Sequence, residues 1–425
     1  MPGISGISPP INAEGIRNYR NFATEIFVQS VTFGNWECAK TSEGSALYPD
    51  EDVPIRRHDV LHSGLCASGF AFVSKVNGNG EKMITEIDQP GSVRWRRSPV
   101  DHAELRILYE RSDILGAMQT LGYLGVIVLS GGLAYYSALH FPWYVTLLLV
   151  FMHGTFFAFQ INAVHELGHN TVFKTRALNS IFKHFFAFLG WINHRMFQMS
   201  HVRHHRSTLH PPDDLEVVVP IRLTLEGFLE TVFVNPVGIW YALNNLIRIS
   251  RGRFEGEWEL KLFPEEDKRR RRWASNWSRT ILVGHALIVA VSIYFKLWML
   301  PVLTTFAPFY GSWLFYLCNN TQHVGLQDNV SDFRLCCRTF TLNPIVRFLY
   351  WHMNYHIEHH MYVGVPCYRL ARLHRLIEND LPSCPSGIVA TWREISAIMK
   401  RQREDPTYQY RPPLPEGAEA ETKKF

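Results

Sequence analysis

The sequence predicts an all-α integral membrane protein: four transmembrane helices in two hairpins, a cytosolic helical cap carrying clustered histidines, and a small β-containing cytosolic segment ahead of them. Three observations predict it. Ile114 to His165 contains no Asp, Glu, Lys or Arg. Thr280 to Gln327 contains one such residue, Lys296. Nine of the 20 histidines fall into four compact groups.

Composition agrees. Apolar residues make up 47% of the 425 and charged residues only 19%, the balance of a membrane or core-rich chain. A net charge of +5 is too mild to imply a nucleic-acid partner. Seven cysteines, an odd number without regular spacing, read as reduced thiols. Met1 to Gly15 has no basic stretch followed by an apolar run, so no cleavable signal peptide is expected.

In chain order, Phe70–Val76 and Lys82–Ile87 flank Asn77-Gly78-Asn79-Gly80, a hairpin signal, so residues 20–95 are expected to hold a small β element. Asp101 can cap a helix leading to the first span. A span needs about 20 apolar residues to cross roughly 30 Å of hydrocarbon, and Ile114–His165 suffices for two, turning at Leu139–Trp143 around Pro142. Ile181–Ile192 is too short to span, and Phe228–Ile249 is interrupted by Asn235-Pro236; both read as interfacial or re-entrant helices. The second run, charged only at Lys296, gives two more spans, turning near Lys296–Pro301. The tail after Asp405, rich in Pro, Glu and Lys, is expected to be disordered.

Lys and Arg crowd the segment between the hairpins, including Lys268-Arg269-Arg270-Arg271-Arg272, while the turns carry only Lys296. The positive-inside rule then places both termini and the middle segment in the cytosol. The implied division is 1–105 as an N-terminal segment of unknown role, 106–385 as the membrane domain and 386–425 as a cytosolic tail.

The histidines sort onto that topology. "HELGH" supplies His165 and His169, "HVRHH" supplies His201, His204 and His205, and "HIEHH" supplies His356, His359 and His360. His323 follows the fourth predicted span. On a helix, positions i, i+3 and i+4 share a face. A topology derived from charge brings all nine to one side of the membrane. Nine imidazoles exceed one zinc site, which takes four ligands or three and a water, and suit two metal ions. Ligand type alone does not choose among iron, copper, zinc and nickel.

These motifs resemble the three histidine boxes of the membrane fatty acid desaturase–hydroxylase superfamily. "NYHIEHHMYVGVPCYRL" (354–370) is similar to the third box and its flank in acyl-lipid and sphingolipid desaturases. "HELGHN" and "NNTQHVGL" also resemble bacterial alkane hydroxylases. The resemblance covers roughly residues 114–380. It implies two non-haem iron ions held by the nine histidines above, with O₂ as co-substrate. It implies electrons from NAD(P)H through a separate reductase and cytochrome b5 or ferredoxin, since no fused His-Pro-Gly-Gly haem motif is present. It implies a lipophilic chain as substrate, membrane lipids as surroundings and the endoplasmic reticulum as location. Desaturation is the first reading and hydroxylation or epoxidation the alternative. An intramembrane zinc protease using His165, Glu166 and His169 is a remote one.

Glu166, Glu358, Asp213 and Asp214 are candidates to accept the second ring N–H of ligating histidines. Asn319, one turn before His323, is a candidate to contribute through water, and His352, one turn before His356, a candidate further ligand.

Overall fold

A computed structural model describes residues 93–416 apart from Arg222, together with the backbone of 72–76 and 82–86. Strands β1 (Phe72–Val76) and β2 (Lys82–Glu86) pair antiparallel, Ser74 opposite Ile84. The rest of the N-terminal expectation, including Asn77–Gly80, lies outside the described residues. From 93 onward every regular element is helical, with only isolated bridges between extended residues.

Residues 95–98 are bound to the helical body. The Arg96 guanidinium donates to both Asp380 carboxylate oxygens at 2.9 and 3.0 Å, and Arg96 N donates to Ser331 O. Asp101 caps α1 (His102–Leu108) by accepting from Ala103 N and Glu104 N.

Helix α2 (Asp113–His140) starts at Ser112, whose side chain accepts from Leu115 N, and ends where Phe141 turns extended ahead of Pro142. Its buried stripe is Gly116, Thr120, Tyr123, Ile127 and Ala134. Met118, Leu121, Val128 and Leu129 point outward, more than half exposed, as side chains facing lipid would be. The return path is α3 (Trp143–Phe157) and α4 (Gln160–Gly168), together a 26-residue apolar stretch with a break at Ala158–Phe159. Thr155 Oγ1 donates back to Phe151 O, a bond that bends helices, and the Tyr123 hydroxyl donates to Phe156 O beside the break. The break re-aims α4, and α4 carries the first two box histidines.

Helix α5 (Arg176–Leu189) packs on α4 and leads into α6 (His194–Ser207). The stretch around Asn235-Pro236 is two helices, α7 (Leu225–Val232) and α8 (Pro236–Ser250), with Asn235 capping the second and Pro236 in its first turn. After α9 (Gly256–Leu262), the third long apolar helix is α10 (Lys268–Tyr294), capped by Asp267 and packed on α8.

The expected fourth span is not one helix; among the described residues three helical stretches, rather than four, are long and apolar enough to cross a membrane. Residues 299–319 form α11 (Met299–Leu303), a 3₁₀ turn (Ala307–Phe309) and α12 (Trp313–Asn319). Pro301 and Pro308 lack the N–H that a continuous ladder needs. Gly311, at φ +69°, has no room for a side chain: a Cβ would lie 2.6 Å from Phe151 O. The backbone groups freed by the breaks are met by side chains of α3, of the turn between α5 and α6, and of the broken segment itself. Leu303 O accepts from His153 Nε2, Thr305 O from Trp191 Nε1 and Val302 O from the Tyr310 hydroxyl, each at 2.9 Å. Irregular backbone survives at membrane depth only when satisfied in this way.

The chain closes with α13 (Phe333–Cys336), α14 (Pro344–Leu349), α15 (His356–Met361), α16 (Leu370–Ile377) and α17 (Gly387–Glu404). The tail differs from expectation as far as it is described: Tyr410 N donates to Gly325 O and Gln409 Nε2 to Asp328 Oδ1, so it is docked through Tyr410. Residues 417–425 lie outside the described residues. The five described cysteines are unbonded.

Candidate metal centre

Four segments converge at the end of α4. His165 lies in its last turn and His169 caps it. The second box lies on α6, the third begins α15, and His323 follows α12. All nine box-associated histidines are buried and sort into two groups: His165, His169, His201, His205 and His359 in one, His204, His323, His356 and His360 in the other. Within each group the nitrogens lie within 4.8 Å of one another.

Hydrogen bonds at Nδ1 decide which way the Nε2 lone pairs face. His323 Nδ1 donates to Cys336 O at 2.7 Å; a carbonyl only accepts, so Nε2 is bare. His204 Nδ1 donates to Asp214 Oδ2 at 2.8 Å, with the same result. The Thr208 hydroxyl spends its proton on His204 O at 2.7 Å, so it accepts from His360 Nδ1 at 3.2 Å and leaves His360 Nε2 bare. In the other group, His165 Nδ1 lies 2.9 Å from Glu166 Oε1 and His201 Nδ1 lies 2.8 Å from Glu216 Oε1. Ring nitrogens then crowd together: Nε2 to Nε2 is 2.8 Å for His201–His205, 2.9 Å for His323–His356 and 3.1 Å for His205–His359, and Nδ1 of His205, His356 and His359 makes no hydrogen bond that would fix its tautomer. The Nε2 atoms of His165 and His169 are buried with no partner. One cation in each group gives these converging nitrogens a common partner. The residues present therefore fit a pair of metal ions.

Electrostatics favour neutral, ligating imidazoles. Burial, reinforced by neighbouring histidines, pushes His169 down to about 3 and His201, His205, His356, His359 and His360 well below 6.5. Burial likewise pushes His323 down to about 3. His204 is the exception: burial pulls it down, but the Asp214 charge, the hydrogen bond to Asp214 and the Glu216 charge together outweigh that and leave it raised. Between the ordinary value of 6.5 and about 3, an unfolded chain takes up protons that the folded one refuses. Stability from these groups is complete above 6.5 and is lost as pH falls through that window. We expect the Tm of chelator-treated protein in detergent to drop steadily from pH 7 to pH 4; a flat profile would contradict this arrangement.

Of the predicted supporting carboxylates, Asp214 and Glu166 lie against imidazoles of the two groups, and Asp213 and Glu358 do not. Asp213 is on the surface, paired with Lys261 at 2.8 Å, because α6 has ended and the next turn points it outward. Glu358 is buried but accepts from His374 Nδ1 and Thr339 Oγ1, so it braces the third box from behind. The supporting group missed in the sequence is Glu216, which accepts from both His201 Nδ1 and Ser200 Oγ. It lies 15 residues beyond His201 in an irregular stretch, and no spacing rule points to it. His352, at φ +61°, belongs to neither group. Asn319 borders a cavity of about 110 Å³ that also touches His165, His201, His204, His323 and His356.

The protease alternative needs Glu166 as a free base beside one zinc. Glu166 is instead fully buried with its Oε1 beside His165 Nδ1, and seven further histidines complete the site. A sequence model described as fatty acid desaturase matches residues 141–391, more than half of the chain. The chain belongs to the fatty acid desaturase family. None of the curated proteins compared with it matches. As a member of the fatty acid desaturase family it is an enzyme, and membership implies a lipid substrate. Its two buried histidine groups fit the non-haem di-iron centre typical of such desaturases.

Proposed function

We propose that this desaturase inserts a double bond into a lipophilic acyl or lipid-like chain, with one iron held by His165, His169, His201, His205 and His359 and the other by His204, His323, His356 and His360. The observation that carries this is the pair of adjoining groups of converging imidazole nitrogens beside a cavity large enough for a chain segment. Bound there, the iron pair would supply reductive activation of O₂ and oxidation of an unactivated C–H bond. The protein's own part is preorganisation. Glu166, Asp214, Glu216, Thr208 and the Cys336 carbonyl hold ring tautomer and orientation. Burial of all nine rings keeps bulk water away. In the overall reaction the chain's two hydrogens leave with O₂, two electrons and two protons as two waters.

The electrons come from NAD(P)H through a separate reductase and cytochrome b5 or ferredoxin. The domain 106–385 sits in the endoplasmic reticulum membrane as two hairpins, the second closed by the broken segment 299–319. Its histidine face and both termini are cytosolic, a placement supported by the basic run at the start of α10. Residues 1–105 and 386–425 flank it on the same side.

The test is lipid and metabolite profiling of cells with and without the gene. Loss of two hydrogens from one lipid class is the expected result. Gain of one oxygen at the same carbons assigns hydroxylation or epoxidation, which the same centre performs. An unchanged profile under full expression overturns both readings.

A further inference from the structure

Residues 94–97 read Arg-Trp-Arg-Arg, and the metal groups draw no ligand or supporting carboxylate from them. The fold nonetheless pins this segment at several points. Beyond the Arg96–Asp380 pair, Ser98 Oγ donates to Asp380 Oδ2 at 2.5 Å and Trp95 Nε1 donates to Arg206 O at 2.9 Å. The indole is thereby held half-buried, stacked on Phe333 with ring centroids 4.0 Å apart and planes 12° apart. Phe333, 1% exposed at the start of α13, lies in turn against the His360 ring, centroids 5.4 Å apart. His360 belongs to the four-histidine group. Three rings in series thus connect the protein surface to a metal-site imidazole. Around the outer ring the surface is basic: Arg94, Arg97 and Arg206 are exposed. Asp380 is engaged by Arg96 and Arg334, and Asp213, which feels the Arg206 charge, by Lys261. These two carboxylates therefore do little to offset the patch.

Burial of the histidines keeps a protein carrier from touching the metals, so its electron must tunnel. Tunnelling weakens steeply with distance and is carried best by closely packed groups. We propose that Trp95, framed by Arg94, Arg97 and Arg206, is the port at which an acidic one-electron carrier docks, and that the electron reaches the four-histidine group across Phe333 and His360. This rests on the function proposed above. The carrier's reduced haem or cluster loses one electron and is oxidised; the ferric ion at the four-histidine group gains it and becomes ferrous. Two such transfers supply the two electrons of the overall reaction. Trp95 and Phe333 change no oxidation state; their stacked rings only carry the tunnelling. Opposite charge on the two surfaces steers the encounter and fixes which face of the carrier meets the indole.

The experiment uses full-length, iron-loaded enzyme in lipid nanodiscs. It is titrated with two acidic carriers in oxidised form, the soluble haem domain of cytochrome b5 and a plant-type ferredoxin. One of them is expected to bind, and that arm identifies the source of the electron. Arg94→Glu with Arg97→Glu is expected to weaken binding about tenfold at low ionic strength and much less at high. Stopped-flow reoxidation of the reduced carrier, at saturation, then reads the path. Trp95→Leu is expected to slow it severalfold with binding kept, and Trp95→Phe, which retains a ring, to keep most of the rate. Product formed after reduction by dithionite, which bypasses docking, is expected to be equal in every variant. The proposal is overturned if neither carrier binds, if binding ignores the two arginines, or if Trp95→Leu leaves reoxidation unaltered. Equal slowing of carrier-driven and dithionite-driven turnover in Trp95→Leu also overturns it, because Trp95 then serves only to hold the segment. Absence of product with either reductant removes the proposed function, and this inference with it.

Discussion

His356→Ala is expected to lower bound metal from two ions per chain to one and to reduce oxidation of the lipid substrate by more than about a hundredfold, beyond what loss of a supporting residue costs. His356 Nε2 faces His323 Nε2 at 2.9 Å and His360 Nε2 at 3.2 Å, all within the four-histidine group. The five-histidine group shares no ring with it, so it is expected to keep its ion. Elemental analysis of purified protein, paired with product formation in NAD(P)H-driven membranes, reads both effects. Retention of both ions with full activity would refute the assignment of His356. The analysis counts any divalent metal, because imidazole also binds zinc well.

The second large effect belongs to a carboxylate that touches no metal. Asp214 is completely buried, and every bond it makes is as an acceptor. Its Oδ2 takes His204 Nδ1–H at 2.8 Å and Leu209 N–H at 2.9 Å, and its Oδ1 takes Glu216 N–H at 2.9 Å. In Asp214→Asn, whichever way the amide is turned, an NH₂ meets a donor. We expect metal affinity or activity to fall about 10- to 100-fold, the range for groups that orient a ligating histidine. Asp213→Asn is the internal control. Its carboxylate is well exposed and paired only with Lys261, and an exposed pair contributes about 0–1 kcal/mol. Neighbouring residues with opposite outcomes separate the role of position from that of charge. Equal losses in the two variants would show that Asp214 acts only through general acidity of the loop.

Much of this was readable before any coordinates. Two long uncharged runs allow little but membrane helices, since backbone and side chains must both be content in hydrocarbon. The i, i+3, i+4 spacing placed each histidine box on one helical face, and charge asymmetry placed the boxes on one side. The broken fourth span had its signal in Pro301, Pro308 and Gly311, which hydropathy averages over. What averaging cannot supply is how the break is tolerated: His153 and Trp191 arrive from elsewhere in the chain to satisfy it, and Tyr310 folds back from within the segment.

By itself the sequence determined the chemistry: nine imidazoles, their local spacing and an apolar host, hence a family and a reaction class. Tertiary structure decided the partition. His204 and His205 are adjacent yet serve different groups, as do His359 and His360. Successive helical residues point about 100° apart, so one box straddles both sites. Which neighbour each ring joins depends on how α4, α6 and α15 cross. The same crossing brings Glu216 to His201 and leaves Asp213 in water. Spacing along a chain encodes the face of a helix, and only packing encodes what that face meets.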